Sequence, residues 1–212
     1  MIQRNISLII VYANMNPVIT NLAEDNDILT FTLSGVNVSL ANALRRIMLS
    51  DIPCVVFRTT PYVQNKMDIL SNTTRLNNEL IKQRMSCIPI HISDTSFPID
   101  NYEIQIYKKN ESDVIDYVTT QDIKIKDLQS DKYLSDAAVR AIFPPDKITG
   151  DYIDIARLRP KLSEDIDGED LSLTSRLDIG TAKEDGAFNV VCTASYGYSK
   201  DTVKINDHLT KM

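Results

Sequence analysis

Three observations predict an α+β fold for this sequence. Residues 37–53 carry an apolar stripe at helical spacing between a start and a stop signal, and residues 79–86 follow a polar stretch that can cap a second helix and again stop ahead of a proline. Around them, at least five runs alternate apolar and polar residues with the period of two that a half-buried strand requires. At 212 residues, 43% hydrophobic and 25% charged, the chain has ordinary globular composition and room for one large or two small domains.

Taken in order, Arg4 followed by the apolar run Ile6–Ala13 resembles a short signal peptide. The run is far below the roughly 20 residues of a membrane span and lacks a small-x-small cleavage site, so it reads as a strand or a flexible extension. Ile28–Leu33 alternates as a strand and Ser34-Gly35 turns it. Asn37 or Ser39 can then cap a helix that must stop ahead of Pro53, because proline disfavours helical geometry at the preceding residue. Within it Leu40, Ala43, Leu44, Ile47 and Met48 fall on one stripe. At about 100° per residue, Arg45 and Arg46 flank the opposite face with Leu49 between them. Pattern alone fits a surface helix packed on its own sheet; the leucine between two arginines suggests contact on both sides.

Cys54–Thr59 resumes a β-rich run, and a polar stretch at 72–78 can cap the second helix, Glu79–Ser86, which stops before Ile88-Pro89. Strand-like alternation recurs at Tyr102–Tyr107, Asp122–Lys126, Tyr152–Ala156 and Leu171–Leu177, consistent with an antiparallel sheet. Gly180–Phe188 reads as a turn and Val190–Tyr196 as a further strand.

Cys54, Cys87 and Cys192 are odd in number and widely spaced, so they form neither a disulfide framework nor a C-x-x-C pair and read as small core residues. His91 and His208 lie too far from them for a local zinc motif. The acidic run 164–170 departs from a calcium loop, with glycine too early and Arg176 where the final glutamate belongs, and reads as a solvated loop. A net charge of −6 argues against sequence-independent DNA binding, and the basic string Arg157-Leu-Arg159-Pro-Lys161 reads as a strand edge or protein contact. Four N-x-[S/T] matches, at Asn5, Asn37, Asn72 and Asn110, read as chance. No phosphate-binding loop, nucleophile elbow, zinc-protease motif or D-x-D-x-D cluster is present, so no catalytic residue, cofactor or metal ligand is assigned.

The string Ala41-Asn-Ala-Leu-Arg-Arg-Ile47 with Asp51-Ile-Pro53 resembles the signature helix of the RNA polymerase alpha-like family, which includes the bacterial alpha chain, its archaeal counterpart and the third-largest subunit of eukaryotic polymerase II. Asn78-Glu-Leu-Ile-Lys-Gln-Arg-Met-Ser-Cys-Ile-Pro89 resembles its next landmark, through Glu79, Arg84 and Pro89. Gly180-Thr-Ala-Lys-Glu-Asp-Gly-Ala-Phe188 resembles a third, through Gly180, Lys183, Glu184 and Phe188, with Asp185 where histidine is usual. The resemblance implies a dimerisation domain split in sequence, at 17–57 and 188–212, around an inserted β-rich domain at 58–187, with residues 1–16 as an extension. It implies a non-catalytic scaffold subunit of a DNA-directed RNA polymerase, inside the cell in nucleus or cytoplasm. Such a subunit pairs with a second alpha-like chain or a fused equivalent, docks the second-largest subunit and contacts small subunits. Neither a membrane nor a specific DNA sequence is among the implied partners.

On this resemblance Leu40, Ala43, Leu44 and Ile47 face the split domain's core and the dimer seam, and Arg45 and Arg46 lie near the large-subunit contact. The cysteine-rich metal loop of many relatives has no counterpart here, and the drifted insert suggests a divergent lineage, such as a large DNA virus with its own polymerase in virions or viral factories. The family's long apolar helix after the returning strand is also missing from 197–212, so the expectation is a fragment, or a partner that supplies the helix. The alternative is an interaction module unrelated to transcription, which would share the amphipathic helix but has no reason to share all three landmarks.

Overall fold

The computed structural model describes residues 16–25, 28–161, 163, 167–200 and 202–210. The expected extension at 1–16 lies outside them but for Asn16. The chain divides into two compact units, one of residues 1–48 and 193–212, the other Leu49–Cys192.

In the first unit, β1 (Val18–Asp25) and β2 (Ile28–Ser34) form an antiparallel hairpin from Val18 opposite Ser34 to Asp25 opposite Ile28. A register shift between Thr20 and Ala23 puts Asn21 at a φ of 53°, a left-handed position that asparagine tolerates better than most residues. Gly35 follows with a φ of 71°, and a Cβ there would lie 2.0 Å from the Asn16 carbonyl oxygen. Helix α1 (Val38–Ser50) begins where the Asn37 side chain accepts a 2.8 Å hydrogen bond from the Leu40 N–H, and it ends ahead of Pro53. The expected strand at 190–196 is absent: residues 189–200 are irregular, and among the described residues β1 and β2 pair only with each other. Alternation supplies a strand's faces but not its ladder, and among the described residues no strand accepts this one. A short helix, α4 (Thr202–Thr210), closes the described chain.

The second unit is built on an antiparallel sheet of β3 (Cys54–Phe57), β4 (Met67–Asn72), β5 (Tyr102–Lys109), β7 (Ile123–Asp127), β8 (Lys132–Tyr133) and β10 (Asp170–Gly180). The long β10 organises it, pairing with β5 along one edge and with β3 and β4 in succession along the other. Its alternation is complete: Leu171, Leu173, Ser175 and Leu177 turn inward, while Thr174 and Arg176 turn outward. Ile106 lies opposite Leu173, and Ile104 opposite Ile125, so the core forms from ladder neighbours. Helix α2 (Asn78–Ser86), capped by Asn77, lays Ile81 and Met85 into this core, and α3 (Asp136–Ile142), capped by Ser135, adds Val139.

A second sheet pairs β6 (Asp116–Thr119) with β9 (Asp154–Leu158). Arg84 of α2 donates to the Ile155 and Asp154 carbonyls, each at 2.7 Å, and Lys108 donates to the Tyr117 carbonyl at 2.6 Å. Basic side chains thus occupy carbonyls on both strands, which blunts further strand pairing. Strand β9 starts at Asp154 rather than Tyr152, and β1, β4, β6, β8, α3 and α4 are elements the sequence reading missed.

Other expectations are corrected. Cys87, the residue that ends α2, and Cys192 are exposed, and only Cys54 is partly covered, so the cysteines are not core residues. The acidic loop is only partly solvated. Residues 164–166 lie outside the described residues, but Glu169 is buried and accepts hydrogen bonds from the Arg159 backbone and side chain, and Asp170 is bonded by Ser71 and Thr73. Arg159 is therefore held in an ion pair, which weakens the basic string at 157–161 as a patch. Asn110 is buried, donating to the Val114 and Leu158 carbonyls and accepting from Ser112, so its glycosylation match has no access.

Candidate subunit interface

Helix α1 carries the first group of candidate residues. Its thirteen residues include no buried side chain. Leu40 is 38% exposed, Leu44 41% and Ile47 51%, with Ala43 also exposed, so among the described residues these four side chains enter no core. The better covered positions are Ala41, Asn42, Arg45, Met48 and Leu49, which are half-buried. Arg45 donates from Nε to the Asn42 side-chain oxygen at 3.1 Å, one helical turn back, while Arg46 is exposed. The helix therefore presents apolar carbon on one side and fixes one guanidinium on the other.

In the unit of residues 49–192, and described by itself, Gly180–Phe188 folds back on β3. Gly180 permits the fold: a Cβ there would meet the Phe188 ring at 2.8 Å and Val56 at 3.2 Å. The Lys183 N–H donates to the Ser50 carbonyl at 2.9 Å, tying the turn to the last residue of α1. Asp185 accepts from the Ala187 N–H and starts the one-turn 3-10 helix that ends at the buried Phe188. The Cys54 thiol donates to the Phe188 carbonyl at 3.2 Å. Burial and the neighbouring Glu184 charge push that thiol's pKa above its ordinary value.

Arg58 joins β10 to this turn. It is buried, donates to Asp178, to Glu184 at 2.8 Å and to the Ile179 carbonyl at 2.8 Å, and its guanidinium carbon lies 5.7 Å from the centre of the Phe188 ring. Burial works against its charge, but the hydrogen bonds it donates to Glu184 and Asp178 outweigh that and hold its pKa above the usual value. Burial likewise opposes the Asp178 carboxylate, and Lys66, Arg58 and the Ile179 N–H outweigh it, leaving that pKa below the usual carboxylate value. Arg58, Gln64, Lys66, Asp178 and Glu184 line an open cleft of about 440 Å³. Its four charges cancel, so the cleft is a clamp and not an anion trap.

Three of the four residues picked from the third string, Gly180, Glu184 and Phe188, thus meet around Arg58, with Lys183 beside them. From the second string, Arg84 joins α2 to β9, Glu79 is exposed in the first turn of α2, and Pro89 is exposed beyond it. Arg58 itself was missed. The available signal was an arginine running on directly from Val55-Val56-Phe57, a charge in an apolar strand that must find partners. Among the described residues, no group of three or more His, Cys, Asp and Glu is placed to hold a metal ion, and no helix is long and apolar enough to cross a membrane.

Comparison with known proteins agrees with the family resemblance. Residues 30–177 match the model of the RNA polymerase Rpb3/Rpb11 dimerisation domain. The chain is 26% identical over 194 residues to DNA-directed RNA polymerases I and III subunit rpac1 of Dictyostelium discoideum, covering 82% of this chain and 50% of that protein. Human DNA-directed RNA polymerases I and III subunit RPAC1 is 24% identical, with 81% of this chain and 51% of the relative covered. DNA-directed RNA polymerase subunit Rpo3 of Thermococcus kodakarensis is 33% identical over 86 residues, 41% of this chain and 30% of the relative. The chain spans about half the length of the eukaryotic relatives it matches, and these cellular relatives lend no support to a viral origin. With a family model covering well over half of its length, the chain belongs to the RNA polymerase Rpb3/Rpb11 dimerisation domain family.

Proposed function

We propose that this chain is a non-catalytic assembly-platform subunit of a multisubunit DNA-directed RNA polymerase. The observation that carries the reading is α1: a capped, amphipathic helix in a dimerisation-domain family, with an apolar stripe that is exposed among the described residues. The stripe Leu40, Ala43, Leu44 and Ile47 pairs with a second alpha-like chain. Arg45 and Arg46, on the opposite face, dock the second-largest subunit, where guanidinium forks bind carboxylates and carbonyls bidentately while staying charged. The split domain at 17–57 and 188–212 forms this platform, and the inserted β-rich domain at 58–187 contacts further, smaller subunits. The protein works inside the cell, where the polymerase works.

The test is purification of the tagged full-length chain with its bound proteins, beside the double variant Arg45→Glu with Arg46→Glu. Reversing two interface charges costs several kcal/mol of binding, so the variant keeps its circular dichroism spectrum and loses the large subunits. A folded double variant that still assembles removes the docking role. Absence of polymerase subunits from the unaltered chain's purification favours an interaction module unrelated to transcription.

A further inference from the structure

Two of the chain's four N-x-[S/T] strings fold into the same bracket, bond for bond. In Asn72-Thr-Thr-Arg-Leu76 the asparagine side-chain oxygen accepts from the Thr74 N–H at 3.0 Å and from the Thr74 hydroxyl at 2.7 Å, and its amide donates to the Leu76 carbonyl at 2.8 Å. In Asn110-Glu-Ser-Asp-Val114 the oxygen accepts from the Ser112 N–H at 3.0 Å and from the Ser112 hydroxyl at 2.7 Å, and the amide donates to the Val114 carbonyl at 2.8 Å. Each hydroxyl also accepts from the N–H two residues on, that of Leu76 or Val114. The tripeptide alone does not dictate this, because Asn37-Val-Ser39 starts a helix instead, with its side chain on the Leu40 N–H.

The two brackets also stand at equivalent places. Strand β4 ends at Asn72 and β5 at Lys109, next to Asn110, and the two strands pair with β10 from opposite sides. The first residues of β10 meet them there, Leu171 opposite Asn72 and Asp170 opposite Lys109. The Asp170 carbonyl accepts from the Thr73 N–H at 3.1 Å, and the Asp170 N–H donates to the Thr73 hydroxyl at 2.7 Å. On the other side the Asn110 N–H donates to the Glu169 carbonyl at 2.9 Å. A Cβ on Gly168 would lie 1.8 Å from the Asn110 carbonyl oxygen, so glycine is required at this approach. Each asparagine amide also reaches the next element, Asn72 to Asn78 of α2 at 2.8 Å and Asn110 to the carbonyl of Leu158, the end of β9, at 3.1 Å.

We infer that the two strings form a paired register lock on β10. A slip of one residue turns a strand's whole apolar set to the other face. Leu171, Leu173 and Leu177 depend on the register for their burial, and Asp178, at the far end, depends on it to meet Arg58. The β4–β10 ladder does not fix it alone, because the pairing shifts between Ser172 and Leu173, where β4 carries Leu70 as an extra residue. The Asn72 bracket sets the pairing beyond that bulge from one side. The Asn110 bracket sets it from the other and ties β5 to β9.

Hydrogen exchange read by mass spectrometry on the full chain tests this with Asn72→Ala and Asn110→Ala, and with Thr74→Ala and Ser112→Ala, which keep the asparagines. A lock fails locally. Amides of 170–173 lose about tenfold or more in protection in each asparagine variant and about threefold or more in each hydroxyl variant. Amides of 177–180, paired with β3, change by less than about twofold. The two brackets share one chemistry, so the swaps Thr74→Ser and Ser112→Thr keep full protection. A fall of equal size along all of β10 means that the asparagines are only polar groups whose loss destabilises the whole unit, and overturns the lock. Unchanged exchange at 170–173 in the truncations overturns it as well, as does a swap that costs as much as a truncation. Where an asparagine variant does not fold, the hydroxyl variants decide by the same criteria.

Discussion

Helices α1 and α2 have the same grammar and opposite fates. Both start at an asparagine cap, both carry an apolar stripe, and both end ahead of a proline. In α2 the stripe is consumed by this chain's own core, with Ile81 and Met85 fully buried; in α1 Leu44 and Ile47 remain about half exposed. Hairpin and sheet differ likewise: β10 alternates into a core, whereas β2 alternates with neither face buried. Amphipathic pattern therefore specifies that a face will be covered, not by what. In the unit of residues 49–192 the covering atoms belong to the described residues; in the other unit the described residues leave those faces exposed.

The sharpest way to break that contrast is to remove the clamp of the self-sufficient unit. Arg58→Ala leaves Asp178 and Glu184 facing each other without their shared cation and strips a buried hydrogen-bond hub, so unfolding free energy should fall by about 3–5 kcal/mol in denaturant titration. A loss below about 1 kcal/mol would mean that Lys66 and solvent replace the guanidinium and that the clamp is not structural.

A matched pair of leucine truncations compares the units directly. Leu173→Ala opens a cavity in a close-packed core and should cost about 2–5 kcal/mol. Leu44→Ala, at an exposed position, should change the isolated chain's stability by less than about 0.5 kcal/mol and yet weaken pairing in a quantitative pull-down. Similar stability losses for both would show that α1 has a core after all.

The comparison also explains what the sequence could and could not tell. Helix α1 was legible from Asn37 to Pro53 because caps and prolines act within one turn of the chain. Strand β10 was legible because burial on one face writes a period of two into Leu171, Leu173 and Leu177. The strand expected at 190–196 was misread because pairing is a property of two segments and only one was in view. Arg58 was missed for the same reason: Asp178 and Glu184 are more than a hundred residues downstream, and nothing local announces them. Helix α3 is a different failure, since Ser135-Asp-Ala-Ala-Val-Arg-Ala-Ile142 carries a cap and good helix formers and was readable.

Acid offers the mildest probe of the same asymmetry. The Asp178 carboxyl has a folded pKa below its ordinary 3.8, because the hydrogen bonds from Lys66 and Arg58 outweigh burial. A depressed folded pKa means that its contribution to stability is complete above the unfolded value and disappears as pH falls through the folded one. Thermal unfolding of the unit of residues 49–192 should therefore lose part of its midpoint between about pH 5 and pH 2, in a step attributable to this carboxylate. Asp178→Asn forfeits that contribution at neutral pH and has no proton to take up, so its midpoint should start lower and fall less over the same range. Equal acid slopes for the two proteins would show that other carboxylates carry the effect. Exchange protection in the hairpin and α1 of the isolated chain should not follow this titration, because Asp178 lies in the other unit, whose core those elements do not share.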